Sequence, residues 1–263
     1  MTEWDPDLYL RHADERGRPF LDLIARIEVT PFSIVDLGCG PGQLTPVLQE
    51  RWPHARILGV DSSTEMVEAA SRRDDGPLVS YVQADVAAWE PAEPVDLIVS
   101  NALFHWVPDQ LDLIRRLAGR VAHGGAFALQ VPNNFNAPSH VLLHDLASQA
   151  PYAEHLHDVS LPRGHEPRDY VELFAEISDD GLGWSVDVWE TTYMHVLTGV
   201  DAVFSWISGT GARPVLQALP DDLREKFVEE YKEALRDAYP ARPWGTLFPF
   251  TRVFAVAELL DWR

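Results

Sequence analysis

The chain of 263 residues holds one cysteine, Cys39, so no intramolecular disulfide forms and its stability must come from a buried core. Basic residues are also scarce: 21 Lys and Arg face 41 Asp and Glu, for a formal charge of −20. That field repels phosphate backbones and anionic lipid surfaces, which excludes a general nucleic-acid or membrane binder. Charges or prolines interrupt every apolar run well short of the roughly 20 residues that span a bilayer. The start, Met1-Thr2-Glu3-Trp4-Asp5, lacks the basic and apolar regions of a secretory leader, and together these absences predict a cytoplasmic setting. The sequence shows no repeat, low-complexity segment or zinc-ligand spacing, so no metal is expected.

What is present is an ordinary globular composition, 46% hydrophobic and 24% charged, in a chain long enough for a large core. Leu21, Leu23, Ile24 and Ile27 follow helical spacing, which predicts a helix from Arg18 to Ile27 with Pro19 in its first turn. Strands are predicted at Ser33–Leu37, Arg56–Val60, Leu78–Gln83, Val95–Ser100 and Ala126–Val131, separated by helices at Leu44–Trp52, Thr64–Arg73 and Gln110–Val121. The last of these helices is read as closing at His123-Gly124-Gly125. Such alternation implies a mostly parallel sheet covered on both faces. Two later strand patterns, Trp184–His195 and Arg252–Glu258, would bring it to seven strands.

Asp36-Leu37-Gly38-Cys39-Gly40-Pro41-Gly42 follows a predicted strand and opens a helix, so its glycines let a ligand approach the backbone where a Cβ would collide. The dinucleotide fingerprint needs a glycine at position 43, where Gln43 stands, and this disfavours a nicotinamide dehydrogenase. Asp61 ends the second strand, where a carboxylate can accept both hydroxyls of a ribose, and Asp85 follows the third, within reach of an adenine amino group. Cys39 has no partner His or Cys near it in sequence and reads as a small buried side chain.

These motifs resemble those of the class I S-adenosylmethionine-dependent methyltransferases, through Val35–Gly42, Asp61, Gln83-Ala84-Asp85-Val86 and Asp96–Asn101. The resemblance implies a Rossmann-like α/β fold with a seven-stranded, mostly parallel sheet, and S-adenosyl-L-methionine as cofactor. It places cofactor contacts at Asp36, Gly38, Gly40, Gly42, Asp61, Ser62, Met66, Asp85, Val86 and Asn101. Over its full length the chain is similar to the trans-aconitate methyltransferase subgroup. The matching stretches include Trp4-Asp5-Pro6, Glu15-Arg16, Asn101-Ala102-Leu103 with His105-Trp106, Gln130–Asn133, Thr191-Thr192-Tyr193 with His195, Trp206, Arg213-Pro214 and Arg252-Val253-Phe254. Phe250-Thr251 before Arg252 departs from the Phe-Pro-Arg triplet of that subgroup.

Read this way, residues 1–263 form one methyltransferase domain, with helical insertions at 133–183 and 196–247 acting as a lid over the substrate. A polycarboxylate needs local cations in an acidic protein, because each unpaired carboxylate taken out of water costs several kcal/mol. Arg163, His165, Arg168, His195 and Arg213 supply them, with Trp189, Tyr193 and Trp206 as walls. Acceptor contacts are expected at Tyr9, Arg16, His105, Trp106, Tyr193, His195, Trp206 and Arg213. A carboxylate with a reference pKa of about 4 is already an ionised nucleophile, so no general base is expected. The partner is thus a small anionic substrate, with no nucleic acid or membrane, and the sequence does not set the oligomeric state. Two alternatives stay open: methylation of another small metabolite or acyl-thioester carboxylate, and a non-catalytic S-adenosylmethionine-binding protein.

Overall fold

The computed structural model describes residues 13–178 and 182–261. The chain begins with α1 (Ala13–Ile24) and then alternates β1 (Ser33–Leu37), α2 (Thr45–Arg51), β2 (Arg56–Asp61), α3 (Thr64–Ser71), β3 (Val79–Gln83) and β4 (Val95–Asn101). After a single 3₁₀ turn at Phe104–Trp106 come α4 (Gln110–Ala118) and β5 (Val121–Pro132). Helices α5 (Pro138–Ala147), α6 (Ala153–Leu156) and α7 (Pro167–Glu176) precede β6 (Leu182–Leu197). Helices α8 (Ala202–Ser208), α9 (Arg213–Ala218) and α10 (Asp221–Ala238) lead to β7 (Thr246–Asp261). The seven strands form one sheet in the order β3-β2-β1-β4-β5-β7-β6.

The pairings of β1 with β2 and β4, of β2 with β3 and of β4 with β5 are parallel, as the strand–helix alternation implies. Register fixes where the site lies. Leu37 stands opposite Val60 on one side and Ser100 on the other, so the chain leaves β1, β2 and β4 side by side at their carboxyl ends. Open α/β sheets bind ligands at that edge. The Ser100 hydroxyl donates to the Leu37 carbonyl at 2.9 Å and ties β4 to the end of β1.

The largest differences from the sequence reading fall at three places. Helix α1 starts at Ala13, which places Pro19 inside it, where proline removes one backbone hydrogen bond. Helix α4 stops at Ala118 and the strand begins at Val121, so His123-Gly124-Gly125 is a bulge within β5 and not a helix end. The register slips between Val95 and Leu97, Gly124 sits at φ +75°, and a Cβ on Gly125 would stand 2.6 Å from the Asp96 carbonyl oxygen. Strand β7 starts at Thr246, six residues before the predicted Arg252.

The described residues group into two compact units. One holds those up to Pro132 together with His165–Glu190 and those from Val253 onward; the other holds Asn133–Gly164 and Thr191–Arg252. The first segment of the second unit therefore ends at Gly164. The reason is α7, which buries Tyr170, Leu173 and Phe174 in the core of the sheet, with the Phe174 ring 6.0 Å from that of Phe127. The second unit has its own core around Tyr152, Trp206, Phe227, Tyr231 and Phe248. There α10 is fastened to α5 by Tyr231, whose hydroxyl donates to the Ser139 carbonyl at 2.6 Å. Among the described residues no helix is long and apolar enough to cross a membrane.

Candidate functional site

The cleft at the carboxyl edge of the sheet starts with glycines that the backbone needs. Gly38 and Gly40 both take positive φ, +72° and +56°, which L side chains rarely adopt. The Gly38 amide donates to the Val60 carbonyl at 2.8 Å, and a Cβ at Gly38 would meet Leu103 at 2.9 Å. A Cβ at Gly40 would meet nothing nearer than the Gln43 side-chain oxygen at 3.8 Å. The turn is thus packed at Gly38 and open at Gly40.

Asp61 braces the open side. One carboxylate oxygen accepts from the Gly40 amide and the other from the Ser63 amide, each at 2.9 Å. Ser63 in turn caps α3 by accepting from the Met66 amide at 3.2 Å. The carboxylate keeps acceptor capacity for an outside donor. Burial raises the Asp61 carboxyl, although the amides of Ser63, Gly40 and Ser62 pull the other way. Burial, and then the neighbouring Asp61, push Asp36 up to about 7. Burial also pushes the Cys39 thiol far above its ordinary range, which leaves it inert as a nucleophile.

From behind, Tyr81 of β3 backs the turn. Its hydroxyl donates to Asp75 at 2.6 Å, lies 3.0 Å from the Thr45 hydroxyl, and stands 2.7 Å from where a Cβ on Gly42 would be. Gly42 is therefore a packing glycine. Replacing Tyr81 with Phe keeps the ring and removes both hydroxyl contacts. The expected result is a cofactor affinity lower by about three- to tenfold, from a loss of about 1 kcal/mol of preorganisation. Calorimetry well below the unfolding temperature checks this.

The cleft is lined by Gly38, Gly40, Pro41, Asp61, Ser62, Met66, Asn101, Ala102, Leu103 and Trp106. The buried side-chain oxygen of Asn101 has no hydrogen-bond partner, which marks a place for a ligand donor. A carboxylate with spare lone pairs, a glycine turn open at Gly40 and an orphan acceptor fit a nucleoside with an amino-acid tail, as in S-adenosylmethionine. Of the expected contacts, Gly38, Gly40, Asp61, Ser62, Met66 and Asn101 line the cleft, while Asp36, Gly42, Asp85 and Val86 do not. Asp36 is sealed within β1. Asp85 is exposed and accepts from the Ala87 amide at 2.9 Å, capping its own turn, and Val86 belongs to the sheet core.

Among the expected acceptor contacts, Trp106 lines this cleft and the buried His105 ring lies 4.9 Å from it. Tyr9 lies outside the described residues, as does the Arg16 side chain. In the second unit His195 sits between aromatic rings, 4.7 Å from Trp206 and 6.2 Å from a nearly parallel Tyr193. Trp206 is 1% exposed and packs on Phe248 and Phe250, so it acts as a core side chain and offers no open wall. Trp189 is likewise committed, stacked on Phe254 at 4.8 Å with the Arg26 guanidinium over its ring.

The expected cations separate by burial. Arg163 is exposed, and Arg168 and His165 both face Asp169. Arg213 is 7% exposed, at the first position of α9. The turn before it is tight: the Arg213 amide donates to the Thr210 carbonyl at 3.0 Å, and a Cβ on Gly211 would stand 3.1 Å from His140. Burial, then the neighbouring His144, hold His140 down to about 4, so it is neutral near pH 7. The sequence reading passed over His140, and it left Arg252 without a role; Arg252 is 4% exposed with its guanidinium 4.9 Å from the centre of the Phe250 ring. It also passed over Pro41, Ala102 and Leu103 as cleft residues.

A methyltransferase-domain family profile matches residues 9–167. Trans-aconitate 2-methyltransferase of Streptomyces avermitilis is 48% identical, covering 98% of this chain and 97% of the relative. The same-named protein of Streptomyces coelicolor is 49% identical over 97% of this chain and 86% of the relative, and that of Rhodococcus jostii is 46% identical over 97% and 99%. Among solved structures, the YcgJ protein of Bacillus subtilis shares the fold with a TM-score of 0.58 at 19% identity, covering 95% of this chain and all of that one. The plantazolicin methyltransferase BpumL, solved with S-adenosylhomocysteine, gives a TM-score of 0.53 at 15% identity over 98% and 91%. Glycine turn, braced Asp61 and near-full-length identity lead to one assignment: the chain belongs to the trans-aconitate 2-methyltransferase family of S-adenosylmethionine-dependent methyltransferases.

Proposed function

We propose that this protein transfers a methyl group from S-adenosylmethionine to one carboxylate of a small polycarboxylic acid, trans-aconitate, and so forms a monomethyl ester. One observation carries the reading: identity of 46–49% with relatives of that name runs through both compact units and covers 97% or more of this chain.

In this proposal Asp61 accepts the ribose hydroxyls, Gly38 and Gly40 admit the ligand to the backbone, and the Asn101 oxygen takes a donor. S-Adenosylmethionine, when bound, supplies an electrophilic methyl group on a sulfonium sulfur. The protein's own task is to hold an acceptor oxygen about 3 Å from that carbon, in line with the sulfur, and to exclude water. The acceptor is ionised near pH 7, so no side chain need remove a proton. Arg213 presents a forked donor to one carboxylate. Tyr193 and His195 hold it by hydrogen bonds, and a cytoplasmic setting without nucleic-acid or membrane partners belongs to the same reading.

With no base required, His105→Ala and His195→Ala are each expected to keep kcat within about tenfold of the parent at saturating acid, even where KM rises. Initial-rate measurements over a range of acid concentrations check this. The reaction class is tested by S-adenosylhomocysteine release with a panel of carboxylic acids. Turnover with trans-aconitate well above that with acyl thioesters supports the proposal, and release with none of the acids overturns it.

A further inference from the structure

We propose that Ala102 is a positioning residue whose left-handed backbone holds Asn101 and Leu103 as one wall of the cofactor cleft. Ala102 lies at φ +58°, a region where an alanine Cβ crowds its own carbonyl and where glycine is at ease. Its amide donates to the Gln130 carbonyl of β5 at 2.8 Å, which fixes the kink to the sheet. On one side of the kink Asn101, whose buried side-chain oxygen has no partner, lines the cleft, and on the other the Leu103 side chain presses to 2.9–3.3 Å of the place a Cβ on Gly38 would occupy. The two walls therefore fit only because Gly38 lacks a side chain and Ala102 takes the turn. Glycine at 102 would relieve the strain, yet it would also free the backbone that sets Asn101 and Leu103 against each other.

Strain retained beside a ligand cleft serves preorganisation. A purely structural residue loses or gains stability and binding together, whereas this one trades one for the other. The inference rests on the cleft being the cofactor site, and Asp61→Ala measured in parallel keeps the two apart. In Ala102→Gly the urea unfolding midpoint is expected to rise, while S-adenosylhomocysteine affinity by calorimetry falls about three- to tenfold. Affinity within twofold of the parent or higher overturns the proposal, and so does a midpoint that is unchanged or lower. If Asp61→Ala weakens binding and Ala102→Gly does not, the cleft assignment stands and only the positioning role falls.

Discussion

Asp61→Ala is expected to weaken S-adenosylhomocysteine binding by about ten- to a hundredfold, and Gly40→Val by at least as much. Charge-assisted hydrogen bonds to buried groups contribute about 1–3 kcal/mol, and Asp61 keeps acceptor capacity beyond the backbone amides it receives. Its removal also frees the Gly40 amide, so the turn loses its brace on the cleft side. Gly40 is a cleaner test of backbone approach than Gly38. An added Cβ at Gly38 collides with Leu103 at 2.9 Å and disturbs packing, whereas at Gly40 it meets only the Gln43 side-chain oxygen, at an ordinary 3.8 Å. The valine side chain at Gly40 then fills the cleft, on a backbone at φ +56° that valine tolerates poorly. Asp61→Asn keeps an acceptor without the charge and should fall between. Calorimetry showing affinities within twofold for both Asp61→Ala and Gly40→Val contradicts the site.

The second large effect is expected at Arg213. If its guanidinium takes a substrate carboxylate in a desolvated site, Arg213→Ala loses about 2–5 kcal/mol in kcat/KM, a factor of about thirty to several thousand. Arg213→Lys should also fall short, because an ammonium is a point charge and cannot reproduce the planar fork. Arg213 is buried at the start of α9, in a turn that Gly211 allows to sit against His140, so its position is set before any substrate arrives. Cofactor affinity measured alongside separates lost recognition from a disturbed fold. A kcat/KM within twofold of the parent for every active acid contradicts the assignment and shifts attention to Arg252, which is also buried.

The sheet and the glycine turn were legible in the sequence because their signals are local. Strands β1, β2 and β4 are runs of β-branched and aliphatic residues that stop at Gly38, Asp61 and Asn101, and parallel pairing brings those stops together. What stayed hidden depends on contacts far apart in the chain. Alanine gives no sign of a positive φ, so the kink at Ala102 could not be read. A tryptophan such as Trp206 suits a wall or a core equally well from sequence, and only its enclosure by Phe248 and Phe250 places it in the core. Asp85 has the residue type of an adenine contact, yet its own turn takes one of its oxygens. The division at Gly164 follows from where α7 buries its apolar face, against Phe127 of a strand some forty residues earlier. Glycines behave likewise: Gly38 and Gly42 look alike in the motif, and only the neighbours Leu103 and Tyr81 show that one faces the cleft and the other packs behind it.

The most direct test of the proposed function follows the methyl group itself. The protein is incubated with trans-aconitate and S-adenosylmethionine labelled in its methyl group, and the isolated product is treated with mild alkali. A carboxyl methyl ester hydrolyses to release the label as volatile methanol, in an amount equal to the S-adenosylhomocysteine formed. That equality is the expected result. Label that stays in the product after alkali means transfer to carbon, nitrogen or an ether oxygen, and it contradicts the account.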